Sequence, residues 1–354
     1  MHDEWEYLIH LIRCAIHDKP AQELPEGLDF GKVFQCAAFH HVANIAFYSV
    51  EKLENKPQEA LYAKWKDRRD KAVVRSITQN FAAQEIRSAF QAEGIRWLEV
   101  QGTKIKPLYP RAEWRTMSDI DFIVDFENLT KAGQVLEQLG YQWKMAHEGT
   151  EVAAHRPPNI NIELHSSYFP ANSDYHGLLK PFDSTDETFY AYNILHIAKH
   201  YYYGGCGIRR VLDAYYLNRH YGQETAQDLL GRANATEFAT ELGALAESWF
   251  GEEDTFPQTE MAQYILYSGL HGHGINEVAN LVKKDMQIGR FSKLKYLFGR
   301  IFCGKEVLRL NYPILERYWI LYPVCWIHRV LRAMSSKRRK RIRYEVEAVK
   351  NTKK

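Results

Sequence analysis

Two aspartates at alternate positions of a short apolar run constrain the fold of this chain more than any other feature. The run from Ser118 to Val124 reads Ser-Asp-Ile-Asp-Phe-Ile-Val, the composition of a buried strand. Side chains two residues apart in a strand lie on the same face, so Asp119 and Asp121 stand side by side while the apolar side chains enter a core. Adjacent carboxylates repel each other unless a cation lies between them. The spacing therefore predicts a cation site on one face of a small sheet.

A later strand supplies a third carboxylate. Residues 159–165, Asn-Ile-Asn-Ile-Glu-Leu-His, alternate strictly and place Asn161, Glu163 and His165 on one face. An acidic residue in such a strand is costly unless it is paired. If this strand lies beside the Asp119–Asp121 strand, Glu163 joins the same cluster. Three carboxylates can hold two magnesium ions, one bound to a triphosphate and one that lowers the pKa of an attacking hydroxyl.

A small turn upstream is suited to phosphate. Gly102 and Thr103 follow a candidate strand from Ile95 to Gln101. Glycine lets the backbone approach a ligand closely, and the threonine hydroxyl and nearby amides can donate hydrogen bonds to phosphate. The turn and the carboxylates together favour a nucleotide site.

These motifs together resemble the polymerase-beta-like nucleotidyltransferase superfamily, and more closely its bacterial group of uncharacterised nucleotidyltransferases. The resemblance covers roughly residues 30 to 250. Beyond the metal site, the shared features are Arg115, Leu139-Gly140-Tyr141, Ile162-Glu163-Leu164-His165, the segment Leu195–His200 and the segment Gly205–Asp213. Superfamily members commonly have Gly-Ser or Gly-Gly where this chain has Gly102-Thr103; threonine keeps the hydroxyl and adds a methyl group.

The resemblance implies a magnesium-dependent transfer of a nucleoside monophosphate from an NTP to an acceptor hydroxyl or phosphate, with release of pyrophosphate. It implies two Mg²⁺ ions, and an acceptor that is a small molecule, a glycan, a peptide or RNA, bound between the sheet and the Thr188–Tyr221 helices. Glu163 is the candidate ligand nearest the acceptor and the candidate general base, with His200 as the second candidate. The implied metal ligands are Asp119, Asp121 and Glu163; the implied nucleotide contacts are Gly102, Thr103, Lys104 and Arg115; the implied substrate or phosphate contacts are Lys199, His200 and Arg209.

Several of these residues have plainer interpretations. The aspartates could cap a turn, and Glu163 could be a salt-bridge partner. Arg115 could bind phosphate or pair with an acidic neighbour, and Arg209 is spaced for an i,i+4 ion pair with Asp213. His196 and His200 share a helix face but lack the glutamate of the zinc-protease motif. Two rival functions also stay open: nucleotidyl addition to RNA, and a non-catalytic nucleotide-binding or membrane-associated scaffold.

The pattern of elements predicts an α+β fold with a small mixed sheet that has helices on one side. Residues 57–91 predict one long helix, closed by a glycine C-cap at Glu93-Gly94. Four regions follow from the pattern: a helical region at 1–93, an α/β core at 94–180, a helical acceptor region at 181–289, and an aromatic and basic tail at 290–354.

Composition narrows the class further. A net charge of +2 over 354 residues gives no global argument for nucleic acid. Five scattered cysteines without a Cys-x-x-Cys pair predict reduced thiols. The chain has neither a signal-peptide pattern nor a run of about 18 apolar residues, which predicts a cytoplasmic protein. The basic cluster Lys337–Arg343 is a solvated helix or contacts an anionic membrane surface.

Overall fold

The computed structural model describes residues 2–146, 149–171, 173–253, 255–269 and 321–325. The chain forms two compact units. The first comprises Met1–Lys199 and Cys206–Leu270, and the second comprises His200–Gly205 and His271–Lys354. Most of the predicted tail, including Lys337–Arg343, lies outside the described residues. The four-region division made from the sequence stays a prediction.

The first unit begins with four helices: α1 (His2–Ile16), α2 (Phe30–Phe39), α3 (Ala43–Val50) and α4 (Glu59–Ala92). The 34-residue helix α4 confirms the long helix predicted from Pro57. It ends where the sequence indicated, because Gly94 adopts a φ of 64° that glycine tolerates best.

Five strands form one sheet: β1 (Trp97–Glu99), β2 (Ile120–Val124), β3 (Gln142–Ala146), β4 (Glu151–Arg156) and β5 (Ile160–His165). Their order across the sheet is β1-β2-β5-β4-β3. Strands β2 and β5 pair in parallel, whereas the other neighbours are antiparallel. The mixed sheet and the α+β class are therefore confirmed. The sequence pattern missed β4, in which only Val152 and Ala154 are buried.

The core lies on the face of the sheet that α4 and α6 (Leu129–Gln138) cover. Ile120, Phe122 and Val124 enter it as predicted, and the Phe122 ring packs edge-on against Phe90 of α4 at 5.9 Å. Burial of these alternate side chains fixes the register of β2, because a slip by one residue would move all of them to the other face. The opposite face of β2 is thereby set to carry Asp121.

The remaining helices are α5 (Gly102–Ile105), α7 (Asp186–Tyr202), α8 (Ile208–Tyr221), α9 (Gln227–Arg232), α10 (Thr236–Phe250) and α11 (Glu260–Ser268). The predicted break between α7 and α8 is present, and Gly204 and Gly205 have positive φ values of 151° and 120° there. The four cysteines of the described part are free thiols, as predicted. None of the helices described is long and apolar enough to cross a membrane.

Candidate active site

The register of the parallel pair brings the predicted carboxylates together. Asp121 of β2 lies directly opposite Glu163 of β5, and Ile123 lies opposite His165. Ligand atoms of Asp121, Glu163 and His165 all lie within 4.8 Å of one another. No other group of three or more metal-ligating side chains was found in the part of the chain that the structure describes. We call these three residues the carboxylate site.

His165 is the member of the site to which sequence reasoning gave no role. Its Nε2 lies 3.2 Å from Asp121 Oδ1 and 3.7 Å from Glu163 Oε2, and its Nδ1 lies 3.2 Å from Glu151 Oε1. Burial alone would lower the pKa of His165, but hydrogen bonds to Asp121 and Glu151 outweigh burial and raise the pKa to about 10. The imidazole therefore carries a positive charge among carboxylates. The sequence could have indicated this role, because His165 lies two residues after Glu163 in one strand and therefore shares its face of the sheet.

The surroundings of Asp121 and Glu163 disfavour the charged forms of both carboxylates. Burial raises the pKa of Asp121, and the neighbouring Asp119 adds to that shift while His165 opposes it. Burial also raises the pKa of Glu163, with Asp119 and Asp121 as the next causes. The ionised forms are therefore disfavoured unless positive charge is added. A divalent cation fits this donor set, because carboxylate oxygens suit both Mg²⁺ and Mn²⁺.

Asp119 lies beside this site rather than on the strand. Strand β2 begins at Ile120, and Asp119 is a half-buried residue before it whose Oδ1 accepts a hydrogen bond from Ser118 Oγ at 2.9 Å. The sequence pattern predicts both aspartates on the strand, which is wrong by one residue because the strand begins at Ile120. Asp119 still raises the pKa of Asp121 and of Glu163, so its charge acts on the site. Its role as a metal ligand stays a prediction.

The Gly102-Thr103 segment opens the short helix α5 instead of forming a turn. A Cβ on Gly102 would lie 2.4 Å from Met117 Sδ, so a larger residue here would have to displace the Met117 side chain. The hydroxyl of Thr103 is buried and has no hydrogen-bond partner within the described structure. An orphaned buried hydroxyl is costly, which supports a contact with a bound ligand. Lys104 is exposed, with its ammonium 5.5 Å from the Phe189 ring centre.

Arg115 has an acidic partner, and that partner is far away in sequence. Its Nε donates to Asp213 Oδ1 at 2.6 Å, and Tyr109 donates its hydroxyl to the same oxygen at 2.7 Å. Both members of the ion pair are buried. The structure thus favours the ion-pair interpretation of Arg115. The i,i+4 ion pair predicted between Arg209 and Asp213 is not among the ion pairs of the described residues, in which Asp213 pairs with Arg115 and, at 3.7 Å, with Arg210.

The guanidiniums of two buried residues, Arg115 and Arg209, and of the partly buried Arg210 form what we call the arginine cluster. Arg210 lies 3.7 Å from Asp213 Oδ2, so one carboxylate serves two of the three. Arg209 is 8% exposed, donates to Thr116 Oγ1 at 2.9 Å, and keeps a buried Nε without a hydrogen-bond partner among the described residues. Burial, Arg115 and Arg210 lower the pKa of Arg209 to about 9. A guanidinium does not give up its proton at neutral pH, so the cluster lacks negative charge.

The two regions adjoin. The positive charge of Arg210 lowers the pKa of Asp121, and Asp119 in turn stabilises the charged form of Arg210. The carboxylate site, which has an excess of negative charge, therefore lies next to the arginine cluster, which has an excess of positive charge. A metal-bound phosphate would supply both missing charges.

Lys199 and His200 lie at the end of α7. Lys199 is half-buried, and burial lowers the pKa of its ammonium while Glu151 partly opposes the shift. Glu151 also binds His165, which brings Lys199 to the edge of the carboxylate site. His200 is exposed and belongs to the second unit, so its predicted substrate contact stays a prediction. His196 belongs to no metal-ligating group within the described residues, which leaves the zinc alternative without support.

A mixed sheet whose parallel strands present paired acidic residues, next to basic side chains, is consistent with a protein of the nucleotidyltransferase class. The chain belongs to the family described as uncharacterised nucleotidyltransferase, whose model matches residues 26–251, more than half of its length. The family resemblance inferred from the sequence is thus confirmed. Comparison with curated proteins and with solved structures found no match. Family membership supports nucleotidyl transfer as the general function and a transferase as the class of enzyme.

Proposed function

We propose that the protein is a divalent-metal-dependent nucleotidyltransferase that moves a nucleoside monophosphate from an NTP to an acceptor hydroxyl or phosphate. The observation that carries this proposal is the contact between two regions of opposite, uncompensated charge. The carboxylate site carries more negative charge than His165 balances, and the adjoining arginine cluster carries more positive charge than Asp213 balances. In a bound metal–triphosphate complex, the cation would neutralise the carboxylates and the phosphate groups would neutralise the arginines.

Asp121 and Glu163 would hold the metal, with Asp119 beside them as the third carboxylate. His165 would become a ligand only if the incoming cation displaced the proton from its Nε2. Magnesium, in two ions, is the proposed cofactor. When bound, the cations would neutralise charge on the reacting phosphates and lower the pKa of the attacking hydroxyl. Glu151 would act one step further out by hydrogen bonding to His165 Nδ1 and holding that ring in orientation.

The triphosphate would be bound by Arg209 and Arg210. The unpartnered Nε of Arg209 offers a donor already desolvated by the fold, so a phosphate oxygen gains a charge-assisted hydrogen bond there. The orphaned Thr103 hydroxyl is a second donor, with Gly102 and Lys104 on the same short helix. Arg115 would act as a positioning residue, because its own donors are directed to Asp213 and the Thr116 carbonyl.

In the reaction, an acceptor oxygen forms a bond to the α-phosphorus as the bond from that phosphorus to the bridging oxygen breaks. Pyrophosphate leaves with the electron pair, and the acceptor proton passes to a base. Glu163 suits that role because it is half-exposed, whereas Asp121 is buried. Catalysis of this kind depends on positioning and charge neutralisation more than on covalent chemistry.

One structural observation supports the catalytic proposal over the non-catalytic alternative, and addition to RNA stays untested. A decayed, non-catalytic scaffold predicts dispersed carboxylates, whereas Asp121 and Glu163 offer ligand atoms within 4.8 Å. Addition to RNA depends on the basic tail, and Lys337–Arg343 lies outside the described residues. Contact of that tail with an anionic membrane, a cytoplasmic location and the choice of ATP among NTPs likewise stay predictions.

The proposal is tested by incubating the purified protein and a cell extract with each labelled NTP and Mg²⁺ or Mn²⁺. Mass spectrometry then identifies what gains a nucleotide. We expect Asp121→Asn to lower turnover by at least about 10³-fold, equal to about 4 kcal/mol, because a principal metal ligand is lost.

Glu127→Gln is the matched control, since Glu127 is an exposed acid near the end of the same strand. It should leave turnover unchanged. The melting temperature of Asp121→Asn should equal or exceed that of the wild type, because the variant removes a disfavoured buried charge. Full turnover by Asp121→Asn with intact metal dependence would rule the proposal out.

A further inference from the structure

Gln101 joins β1 to α5 in a backbone conformation that residues with side chains rarely adopt. Its φ is 53° and its ψ is −127°. The positive φ favours glycine, and this ψ lies far from the left-handed helical region that asparagine and aspartate can enter. A glutamine in such a conformation costs free energy and persists only where the surrounding structure maintains it. Backbone strain of this kind clusters at functional sites, which makes Gln101 a candidate for a role beyond the fold.

Hydrogen bonds on both sides fix the backbone of Gln101. Before it, the Val100 amide donates to the Asp121 carbonyl at 3.2 Å, which continues the pairing of β1 with β2. After it, the Ile105 amide donates to the Gln101 carbonyl at 3.0 Å. The strand therefore changes to a helix within one residue. This sharp change places the Gly102-Thr103 segment directly after the stretch that pairs with β2.

The Gly102-Thr103 segment also lies beside the arginine cluster. A Cβ on Gly102 would be 3.6 Å from Arg115 Nη1. The Thr103 hydroxyl is buried and has no hydrogen-bond partner in the described part of the chain. The segment therefore adjoins both the strand that carries Asp121 and the buried Arg115 side chain. A change in the backbone of Gln101 would move the segment relative to both.

The side chain of Gln101 forms a hydrogen bond with the hydroxyl of Tyr192, a residue of α7 that is 2% exposed. Burial is the main cause that raises the pKa of Tyr192 well above its usual value. The charge of Asp121 also raises this pKa, whereas the Gln101 hydrogen bond and Arg210 lower it. The Tyr192 hydroxyl is therefore close enough to both charged regions for both to act on it. The Gln101–Tyr192 contact thus lies near the place where the carboxylate site meets the arginine cluster.

Aromatic packing holds Tyr192 in place. Its ring centre lies 4.8 Å from that of Tyr168, 5.3 Å from that of Phe169 and 5.8 Å from that of His196. His196 Nε2 in turn lies 3.4 Å from Arg210 Nη2. Packing of this kind leaves a buried ring little freedom to move. The Tyr192 hydroxyl is therefore a rigid partner, and a rigid partner can maintain a strained conformation.

We propose that Gln101 is a positioning residue, whose contact with Tyr192 maintains the strained link between β1 and α5 and so fixes the Gly102-Thr103 segment for contact with the NTP phosphates. The inference rests on the proposed nucleotidyl transfer and adds to it a residue that need not touch the substrate. A segment that is already fixed does not have to be ordered when the NTP binds, which favours binding. Glycine would adopt the same φ without strain, but it would leave the segment free to move.

The test compares Gln101→Gly, Tyr192→Phe and the variant with both changes. Binding of each of the four NTPs with Mg²⁺, and of Mn²⁺ alone, is measured by titration calorimetry without an acceptor. We expect each single variant to bind the preferred NTP at least about 10-fold more weakly, because a charge-assisted contact with phosphate is misplaced. The double variant should be no weaker than the single variants, since both changes remove one contact. Binding of Mn²⁺ should be unchanged, because the carboxylates stay in place.

Two matched controls separate positioning from folding. Asn234→Gly replaces another non-glycine residue of positive φ, 51°, at an exposed position. Tyr190→Phe removes another hydroxyl of α7, which donates to Asn218 Oδ1 at 2.7 Å. Tyr190→Phe should lower the melting temperature, and neither control should change NTP binding. The melting temperature of Gln101→Gly should change little, because relief of strain offsets the lost hydrogen bond.

Equal NTP binding by the wild type, Gln101→Gly and Tyr192→Phe would overturn the proposal and make the contact purely structural. Additive losses in the double variant would overturn it too, because the two residues would then act separately. Weaker Mn²⁺ binding in the variants would contradict it by showing that the changes disrupt the carboxylate site itself. A wild type that binds no NTP would refute the proposed function, and the positioning role with it. Binding by the wild type therefore distinguishes the two failures.

Discussion

The carboxylate site and the arginine cluster are neighbouring regions whose charges have opposite signs and are only partly balanced within the fold. In the first, Asp121 and Glu163 have raised pKa values because burial and nearby carboxylates disfavour their charges. In the second, burial and like charges lower the pKa of Arg209. Each region on its own would destabilise the fold. Together they would match a metal–phosphate ligand, whose cation would balance the carboxylates and whose phosphate would balance the arginines.

The contrast also separates structural charge from functional charge. Asp213 is buried and accepts hydrogen bonds from Arg115 and Tyr109, so its charge is used within the fold. Arg209 is also buried but forms no ion pair among the described residues, and its Nε has no hydrogen-bond partner there; Asp213 keeps one such oxygen, Oδ2, besides its paired Oδ1. Buried charge with internal partners supports the structure, whereas buried charge without them is available to a ligand. This distinction predicts which substitutions lower stability and which lower activity.

The largest stability effect is expected at the structural side of the comparison. Asp213→Asn should lower the free energy of unfolding by about 3–5 kcal/mol, because it leaves the buried Arg115 charge without its partner. Denaturant unfolding measures this. Asp228→Asn, at an exposed position of α9, is the control and should change little. An equal, small loss in both variants would show that the pair is not structural.

The next-largest effect on stability is expected at His40, a buried histidine that is uncharged in the folded protein. His40 Nδ1 accepts a hydrogen bond from the Ile208 amide at 3.2 Å, and its Nε2 donates to the Leu266 carbonyl at 3.1 Å. Burial is the main cause that lowers the pKa of His40 from 6.5 to about 4. Between those values the unfolded chain binds a proton that the folded chain does not. Stability should therefore fall by about 3 kcal/mol as the pH drops from 6.5 to 4.

The measurement is denaturant unfolding of wild type and His40→Gln across that pH range. The variant should lose this part of the pH dependence, while His41→Gln, at the adjacent exposed position, should retain it. Identical pH profiles for wild type and His40→Gln would contradict the assignment.

The smallest effect is expected at the functional side. Arg209→Gln should raise KM for the NTP by about 10-fold, equal to about 1.4 kcal/mol, because one triphosphate donor is lost. Stability should be unchanged or higher, since a disfavoured buried charge is removed. Steady-state kinetics beside thermal unfolding tests both statements, with the exposed Arg232→Gln as control. An unchanged KM together with lower stability would place Arg209 with the structural charges.

The alternation of polar and apolar residues made the carboxylates predictable. Once Ile120, Phe122 and Val124 were assigned to the core, Asp121 had to lie on the other face, and the same pattern placed Glu163. The sequence did not show that these strands are parallel neighbours with Asp121 opposite Glu163. That fact depends on pairing between distant segments, which local pattern does not encode.

Other contacts of the site could not be predicted from the sequence either, because they join residues that are far apart in the chain. Arg115 and Asp213 are 98 residues apart in the chain, so the i,i+4 spacing of Arg209 was the nearer and misleading signal. His165 was visible on the face of Glu163, but its contacts with Asp121 and Glu151 require the assembled sheet.

The parallel pairing of β2 with β5 has a consequence for folding as well as for chemistry. Asp121 and His165 meet across 44 residues of chain, so the site exists only after a long loop has closed and the central strands have paired. A cation held by both strands would bind the native state and not the unfolded chain, and would stabilise it by mass action. The concentration of free divalent cations would then affect how long each molecule stays folded, besides how fast it works.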